Sequence, residues 1–591
     1  MSEPRVAAVR PSERHHPSVL PLLGAASLAL GVLLALPAAG VAPHPSASPN
    51  GSWPQFHGDP SLDGVSGSAE TPTNATLFPS VDLSSYANVR IGGAGVFPRQ
   101  ASPVTDGNVV IVAIGNYVLS FSATTGALTT GWLDKPQITG PGSGPILGTP
   151  LMTPSAIYVD QNGAPNALIA LNPSNGSQLW NATPTTCGAY GGSSCSTTSS
   201  VVGGAGYVAV ATTGGELAWH PPSAGNLNWN YQGTASGIYY TATPAYATVA
   251  GIGAGGAGVS AMVLPTLFSF SGEQLEAFAT PPSGGPLPGF PLNVNSGSQS
   301  LSSSAAVVNL TEAGVTNTWA FIGGSAGGGA SSSVWAVDLS RPTAITSLAI
   351  PPLGGASDAI YATPAVVASS VNPNRATVYA ATEDGQVVNA SFVWLGGSNA
   401  GFTQGWRYTA PGGVVASPIV DGSDVIVACE DAQGSLLALS TGGVLQWTFH
   451  TGSPLYASPA ASGGALYEVS SAGRLFGLGY SPGSGSGGTT GGGPSPSGGN
   501  LVYALIAVVV ILAVVAAVIA LVLNRRRHGH LPAPHHGSAP PPTPWSPPPP
   551  PSSAGTPPPP PPSSYPPPPP TRGGSVPPPP TTAEVGYDEP G

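Results

Sequence analysis

The amino-acid sequence predicts an all-β fold built from one repeated unit, and three observations indicate it. Charged residues make up only 7% of the 591-residue chain, too few to cover the exposed faces of many helices. The 82 glycines separate short runs of Val, Ala, Ile and Tyr, as turns separate short strands. A small-residue step, followed by the same order of strand-like segments, returns throughout the middle of the chain. Such self-similarity is typical of repeat architectures.

The clearest copy of the repeat spans residues 416–447. It reads A-S-P-I-V-D-G, then V-I-V-A, then G-S-L-L-A-L, then T-G-G-V-L-Q-W, which is three short strands and a fourth ending in Trp. Successive copies lie 41 to 61 residues apart, and a four-stranded propeller blade needs about 40–50. The sequence therefore predicts a β-propeller of eight four-stranded antiparallel blades, with seven blades as the alternative. The copies are marked by Pro103, Pro150, Val201, Pro244, Ala305, Pro364, Pro418 and Pro459.

The last copy of the repeat predicts how the ring closes. It ends at Tyr480 without a fourth strand, and an open blade would leave an unpaired edge that invites aggregation. The stretch 75–83 (ATLFPSVDL) precedes the first copy and is strand-like. We predict that this stretch completes the last blade.

The repeat also resembles a known family. The order A-S-P-x-x-D-G, G-x-L-x-A-L and T-G-x-x-x-W is similar to the repeats of PQQ-like (quinoprotein-type) β-propellers. Residues 53–59 (WPQFHGD), with Gly64 after them, resemble the lead-in before the first blade of many members. The resemblance covers about residues 53–480 and is weakest in the fourth and fifth copies, which lack the terminal Trp. It implies the propeller fold; the quinone-dependent dehydrogenases of this fold use a calcium site, an Asp base and often a vicinal Cys pair.

The recurrent tryptophans are interpreted as structural rather than as ligand-stacking residues. A large aromatic side chain at one fixed blade position is expected to pack between neighbouring blades. The aspartates of the D-G steps, Asp106 and Asp421, are interpreted as turn-formers before ligands. The blade tryptophans are Trp132, Trp180, Trp229, Trp406 and Trp447.

No catalytic constellation is evident in the sequence. The chain has no adjacent Cys pair and no H-E-x-x-H motif, and a calcium-ligand set cannot be mapped onto it. His57, His220 and His450 are scattered. Glu383-Asp384 and Glu430-Asp431 adjoin Gly turns and are interpreted as turn residues, with loose cation binding as the alternative. We therefore expect no catalysis, no metal and no cofactor; PQQ and calcium would be needed only by a divergent dehydrogenase.

Charge and cysteine usage narrow the function classes further. Between Trp53 and Tyr480 seven Lys or Arg residues stand against twenty Asp or Glu residues, so the basic footprint that nucleic acids need is missing. Cys187 and Cys195 bracket a Gly/Ser loop and are predicted to form a local disulfide in an oxidising compartment. Cys429 lies in an apolar run and is expected to be a buried free thiol.

Two apolar segments predict the topology. Residues 1–43 have a basic start and a Leu/Ala-rich stretch and are interpreted as a signal peptide or signal anchor. Residues 501–523 contain no charge and are long enough for a transmembrane helix. Arg525, Arg526 and Arg527 follow at once and mark the cytoplasmic side. We therefore expect a single-pass cell-membrane protein with the propeller, residues 44–480, outside the cell.

The remaining segments are low in complexity. Residues 481–500 form a Gly/Ser/Pro linker, and residues 524–591 form a cytoplasmic Pro-rich tail predicted to be disordered, with polyproline II character. A polyproline-binding protein is the candidate partner of this tail, with a plain disordered spacer as the equal alternative. Six Asn-x-Ser/Thr sequons precede the predicted span and are glycosylation candidates. They are Asn50, Asn74, Asn175, Asn181, Asn309 and Asn389.

Together these features favour a membrane-anchored extracellular propeller that acts as a binding, adhesion or scaffold module without catalysis. Its ligand would be an extracellular protein or a glycan. The alternative hypothesis is a divergent PQQ-dependent dehydrogenase tethered to the membrane.

Overall fold

The computed structural model describes residues 52–68, 70–86, 100–132, 144–162, 167–182, 199–204, 206–212, 216–220, 229–232, 242–253, 256–266, 274–280, 284–294, 299–326, 331–353 and 359–479. Every regular element in these ranges is a β-strand, so the all-β prediction is confirmed. The predicted signal segment, linker, span and tail lie outside the described residues, as do Cys187, Cys195 and Asn50.

The strands form eight antiparallel sheets, of which seven have four strands and one has three. Each sheet corresponds to one copy of the repeat, so the propeller has eight blades. Blade 1 comprises β2 (Val104–Thr105), β3 (Val109–Ile114) and β4 (Tyr117–Ser122); blade 2 comprises β5 (Leu151–Met152), β6 (Ile157–Gln161), β7 (Ala167–Leu171) and β8 (Gln178–Ala182). Blade 3 comprises β9 (Val202–Gly204), β10 (Tyr207–Ala211), β11 (Glu216–His220) and β12 (Trp229–Gln232); blade 4 comprises β13 (Ala245–Val249), β14 (Val259–Pro265), β15 (Gln274–Ala279) and β16 (Leu292–Asn293).

The second half of the ring repeats this arrangement. Blade 5 comprises β17 (Gln299–Glu312), β18 (Val315–Ala326), β19 (Ser332–Asp338) and β20 (Ile345–Ile350); blade 6 comprises β21 (Ala365–Ala368), β22 (Arg375–Ala381), β23 (Gln386–Trp394) and β24 (Ala400–Thr409). Blade 7 comprises β25 (Ile419–Asp421), β26 (Asp424–Ala428), β27 (Ser435–Ser440) and β28 (Leu445–His450); blade 8 comprises β29 (Ala460–Ser462), β30 (Ala465–Ser470), β31 (Arg474–Gly479) and, from the start of the chain, β1 (Thr76–Asp82).

The strand β1 closes the ring. It pairs antiparallel with β31, with Thr76 opposite Leu478 and Asp82 opposite Arg474. The prediction that residues 75–83 complete the last blade is therefore confirmed. Joining the two ends of the repeat array in one sheet leaves blade 8 with its full set of four strands, which removes the open edge.

The hydrophobic core lies between the blades. Inner and middle strands such as β6 are buried along their whole length, because each sheet is covered by a neighbour on both faces. Val159 and Ile169 of blade 2, for example, share a buried cluster with Ile111 and Val118 of blade 1. The outermost strands, such as β28, are only partly buried.

A wedge of one aromatic residue against one glycine recurs between blades. Trp132, at the end of blade 1, lies against Gly176 in the turn between β7 and β8, where an added Cβ would come within 2.7 Å of the indole. Trp406 of blade 6 lies in the same way against Gly443 of blade 7. Both glycines have positive φ, so the turn needs glycine for its backbone as well as for its space. Phe78 of β1 takes the aromatic position against Gly126 of blade 1.

The lead-in segment, residues 53–66, runs along the inner strands of seven blades. Its backbone exchanges two hydrogen bonds with Thr105 of blade 1, and the amide oxygen of Gln55 accepts from Gly203 N–H of blade 3 at 3.2 Å. Its carbonyl oxygens accept from one backbone N–H in each of five more blades at 2.7–2.9 Å, namely Met152, Tyr246, Val307, Val366 and Val420. The lead-in segment thus links blades that are far apart in sequence.

Candidate functional site

A ring of hydroxyl side chains surrounds the centre of the propeller. Each blade contributes one buried Ser or Thr, which stands two residues before the inner strand in seven blades and within β17 in blade 5. All eight line one central cavity. We call this set the hydroxyl ring; it comprises Ser102, Thr149, Ser200, Thr243, Ser304, Thr363, Ser417 and Ser458.

The hydroxyl ring links neighbouring blades at seven of the eight junctions. A backbone N–H in one blade donates to the hydroxyl oxygen of the following blade, at N···O distances of 2.8–3.0 Å. The bond from Ser458 N–H to Ser102 Oγ, at 2.9 Å, joins the last blade to the first. The seven bonds run from Ser102 to Thr149, Thr149 to Ser200, Ser200 to Thr243, Thr243 to Ser304, Thr363 to Ser417, Ser417 to Ser458 and Ser458 to Ser102.

The role of these hydroxyls was not predicted from the sequence, although the signal is there. The step that marks each repeat copy was interpreted through its small residues and its proline. Its middle residue is Ser or Thr in all eight copies, as in Ala416-Ser417-Pro418 and Ala362-Thr363-Pro364. A hydroxyl retained in every copy of a buried step indicates a recurrent hydrogen bond, and seven of the eight hydroxyls accept one from the preceding blade.

Beside the hydroxyl ring, the same cavity has a second set of lining residues, and we call this part of it the mouth. The whole cavity has an empty volume of about 700 Å³, part of which is open to solvent. The residue two positions before a ring hydroxyl lines the mouth in five blades, and we call these five the mouth layer. They are Gln100, Leu147, Tyr361, Val415 and Tyr456. Phe56 of the lead-in segment and Glu383 complete the lining.

Two glutamates of neighbouring blades lie near each other beside this mouth, and of the two only Glu383 lines the cavity. Glu383 follows β22 in blade 6, and Glu430 follows β26 in blade 7. A Cβ added at Gly413 would meet the Glu383 carbonyl oxygen and would lie 3.6 Å from Glu430 Oε2. Burial and the nearby Glu383 charge raise the pKa of Glu430 to about 7. Burial and the same charge raise the pKa of Tyr361 to about 12.

The aspartates next to these glutamates behave as turn residues. Asp384 accepts from Leu353 N–H at 2.6 Å and from the Gln386 side chain at 3.0 Å. Asp431 accepts from Ser435 N–H at 2.7 Å. In each pair of acids the Asp therefore forms a turn, whereas Glu383 lines the mouth and Glu430 lies near Glu383. Over the described residues no group of three His, Cys, Asp or Glu side chains is placed to hold a metal ion.

His57 is part of the lead-in segment rather than of the cavity. Its Nδ1 lies 2.6 Å from Leu62 O and its Nε2 lies 2.9 Å from Pro418 O. Burial lowers its pKa, while these two backbone contacts act in the opposite direction. Its ring fills the space beside Gly64, where a Cβ would collide with it. His57 is thus a packing residue of the lead-in segment.

The other predicted residues lie away from the cavity. Trp180 is half-buried and its ring centroid is 5.8 Å from that of Tyr158, and Trp447 Nε1 donates to Pro72 O at 3.1 Å. The side chain of Trp229 is outside the described set. Cys429 is a buried free thiol, as predicted, and burial followed by the charges of Asp431 and Glu430 raises its pKa to about 12.

The glycosylation candidates differ in exposure. Asn74, Asn175 and Asn181 are exposed. Asn309 is partly buried and its Oδ1 accepts from Thr318 Oγ1 at 2.6 Å. Asn389 is also partly buried, facing Gly405. Glycan attachment stays a prediction, and it concerns the three exposed asparagines first.

The cavity lining does not fit a calcium–quinone centre. Calcium takes six to eight oxygen ligands, typically carboxylates and amides. Among the described residues that line the cavity, Glu383 is the single carboxylate and Gln100 the single amide. The remaining polar lining is hydroxyl, and seven of the ring oxygens already accept a backbone N–H.

The sequence comparisons point to one family. A family model described as outer membrane protein assembly factor BamB matches residues 79–239 and 332–487, which is more than half of the chain. The matched ranges include blades 1 to 3 and blades 6 to 8, where the repeat is most regular. A comparison with curated protein sequences finds no match.

Solved structures resemble the fold at low sequence identity. BamB from Moraxella catarrhalis is 16% identical, over 65% of this chain and 97% of that one, with a TM-score of 0.42. Quinohemoprotein alcohol dehydrogenase from Comamonas testosteroni is 13% identical, over 75% and 82%, with a TM-score of 0.45. A europium-containing methanol dehydrogenase is 11% identical, over 73% and 98%, with a TM-score of 0.48.

Proposed function

Since this chain belongs to the PQQ-like family whose model is described as outer membrane protein assembly factor BamB, we propose that it is a non-catalytic binding or scaffold module. The proposal rests on the hydrogen bonds that the side chains at the centre of the ring make. The innermost polar side chains, which would have to serve any central chemistry, are engaged in blade-to-blade hydrogen bonds. The centre of this propeller therefore holds the ring together, and its mouth and outer loops are left for partners.

The proposal places this module at the cell surface. The 23 uncharged residues 501–523 and the following Arg525–Arg527 support a single membrane span with the propeller outside. Among the described residues no helix is long and apolar enough to cross a bilayer, and the proposed span lies outside them. Protease treatment of intact cells tests the topology: the propeller should be cleaved or released while the Pro-rich tail stays protected.

A membrane-tethered PQQ-dependent dehydrogenase is the competing function. It is tested on the purified full-length protein in detergent, loaded with PQQ and calcium and supplied with an artificial electron acceptor. We expect no reduction of the acceptor above background with alcohols or sugars, and no quinone absorbance retained after gel filtration. Turnover that depends on the protein would overturn the binding-module proposal.

The partner class is tested in intact cells. Chemical crosslinking followed by mass spectrometry distinguishes an envelope-assembly scaffold, which would crosslink to membrane proteins of its own cell, from an adhesin, which would not. For the proposed scaffold we expect crosslinks from the propeller to other envelope proteins.

A further inference from the structure

The two ends of each blade expose different kinds of side chain. Each inner strand leads away from the hydroxyl ring to the first turn of its blade, and the antiparallel order of the strands returns the third turn to the same end. We call this end of the ring the turn face. Seven large hydrophobic side chains are exposed among the described residues, and all except Leu353 lie in or beside a first or third turn. These six are Leu179, Val315, Val371, Leu395, Val444 and Leu445.

Blades 5 and 6 extend furthest on the turn face. In blade 5 the chain runs eight residues from Ser304 of the hydroxyl ring to Glu312 before it turns. In blade 7 it runs only four residues, from Ser417 to Asp421. At 3.2–3.4 Å per residue, the hairpin of blade 5 is about 13 Å longer on this face. The loop of blade 6 likewise reaches Val371, eight residues after Thr363.

The ends of these hairpins form one apolar surface. Thr311 N–H donates to Pro373 O at 2.7 Å, which joins the β17–β18 hairpin to the β21–β22 loop. Asn374 Nδ2 donates to Trp394 O at 3.0 Å, which joins that loop to the β23–β24 hairpin. The exposed side chains held together in this way are those of Val315, Val371 and Leu395, and we call these three residues the apolar tip. They are 48%, 82% and 59% exposed, respectively.

The turns that hold the apolar tip carry no net charge. They comprise residues 311–316, 369–375 and 394–400, in which Glu312 and Arg375 are the charged residues, one of each sign. The other side chains of these turns are small, amide, hydroxyl or apolar. A surface of exposed apolar side chains without excess charge suits the boundary of a lipid bilayer, where apolar groups are buried about 5–10 Å deep.

The opposite end of blades 6 and 7 has a different character. The second turns of these blades carry the acidic pairs Glu383-Asp384 and Glu430-Asp431. Carboxylates are repelled by the negative surface potential of anionic lipids. The turn face is therefore the end of the ring that is better suited to a membrane.

The chain also leaves the propeller on the turn face. Gly479, the last described residue, is paired with Ala465, which follows the first turn of blade 8. A Cβ added at Gly479 would lie 2.7 Å from the carbonyl oxygen of Gly464 in that turn. Residues 480–500 then lead to the proposed span at 501–523. A flexible Gly/Ser-rich linker of this length has a root-mean-square end-to-end distance of about 25 Å, which keeps the turn face near the bilayer.

We propose that the apolar tip rests on the lipid bilayer and that the mouth of the central cavity is directed away from it. Val315, Val371 and Leu395 insert at the level of the lipid headgroups. The tether raises the effective concentration of the propeller at the membrane, so a few apolar side chains are enough to hold this orientation. The inference rests on the proposed single-span topology and adds to it the face that the propeller turns to the lipid.

Photocrosslinking in vesicles tests the contact. The full-length protein is reconstituted in phosphatidylcholine vesicles with a minor share of phosphatidylglycerol and a trace of fluorescent phospholipid. The photoreactive residue p-benzoylphenylalanine replaces Val371, Leu395 or, as the matched control, Leu353, an exposed leucine that follows β20 at the other end of blade 5. We expect at least about fivefold more fluorescent lipid on the protein from positions 371 and 395 than from position 353, because only an inserted side chain stays in contact with lipid.

Charged substitutions test whether the apolar side chains cause the contact. The double variant Val371→Asp/Leu395→Asp, with the photoreactive residue at Val315, should lose at least about fivefold of its lipid labelling because carboxylates stay hydrated. The matched control Ser347→Asp/Ala349→Asp adds the same two charges at exposed positions of the outer strand β20 and should be labelled as the unmodified protein is. Far-UV circular dichroism confirms that each variant is folded.

Two results would overturn the inference directly: equal lipid labelling from positions 353, 371 and 395, or unchanged labelling in Val371→Asp/Leu395→Asp. A crosslinked product of twice the chain mass, in place of the lipid product, would assign the apolar tip to a second copy and would also overturn it. A protein that does not float with the vesicles would overturn the single-span topology, and this inference with it. None of these results affects the proposal of a non-catalytic module, which the dehydrogenase assay tests separately.

Discussion

The hydroxyl ring and the mouth layer are consecutive levels of one channel, and they differ in how much their residues vary. The ring holds only Ser and Thr in eight blades. Two residues earlier, in the five copies that line the mouth, the mouth layer holds an amide, two aliphatic side chains and two tyrosines. The ring position makes the same bond in successive blades, so a change there leaves a buried N–H without a partner. The mouth position makes no common bond, and its residues can differ between blades and suit a ligand.

The aromatic–glycine wedge resembles the hydroxyl ring, because the same contact recurs in several blades. Replacing Trp132 by Ala should cost about 3–5 kcal/mol of unfolding free energy, since the side chain is 1% exposed and Gly176 cannot fill the space. Urea unfolding followed by far-UV circular dichroism measures the loss. Leu445→Ala, at a side chain 42% exposed, is the control and should change the unfolding free energy by less than about 0.5 kcal/mol.

Asp421 makes the stability of the region next to the hydroxyl ring depend on pH. It is the last residue of β25, the strand that follows Ser417 of the ring. Burial, helped by the nearby charges of Asp424 and Glu70, raises its pKa from 3.8 to about 7. The folded chain therefore holds a proton that the unfolded chain releases near pH 4, and the free energy of unfolding falls as pH rises from about 4 to about 7. Between pH 5 and pH 8 the free energy of unfolding of the protein should fall by about 2 kcal/mol more than that of the Asp421→Asn variant.

Urea unfolding at several pH values checks this difference. The lowered pKa of His57 acts in the opposite direction, since its protonation below pH 6.5 favours the unfolded chain. That contribution is common to both proteins and cancels in the comparison. Parallel pH profiles of the protein and of Asp421→Asn would show that Asp421 ionises normally.

A smaller effect is expected when one ring bond is removed. Thr149→Val keeps the shape of the side chain and removes the acceptor of the Ser102 N–H bond at 3.0 Å. We expect a loss of about 1 kcal/mol, at the low end for a buried N–H because water in the cavity can replace part of the bond. Thermal unfolding measures it. No loss of stability would mean that the ring hydroxyls do not hold neighbouring blades together.

The smallest effect on stability is expected for a substitution in the mouth layer. Val415→Thr makes the reverse change in the mouth layer, and it should alter stability by less than about 0.5 kcal/mol because the new hydroxyl can reach solvent in the cavity. A large loss at Val415 together with none at Thr149 would reverse the comparison between the two levels.

Much of the fold could be predicted from local sequence order. Each blade is a run of consecutive strands joined by turns, so the G-S-L-L-A-L and T-G-G-V-L-Q-W segments of one copy predict one sheet. Closure by residues 75–83 was also predictable, because a missing fourth strand needs a substitute. Glu383 and Glu430, 47 positions apart, could not be paired in this way, since their meeting depends on how blades 6 and 7 pack.

The sequence by itself determined the repeat, the all-β class and the strand that closes the ring, because these follow from short-range patterning and from an unpaired edge. Only the tertiary structure decided which polar groups meet at the axis. Closing eight blades into a circle brings together a Ser or Thr that each copy carries separately and joins these residues by hydrogen bonds at seven of the eight blade junctions. The same closure brings Gln100 and Glu383 to one mouth and Glu430 close to Glu383, although no local pattern in the chain connects them.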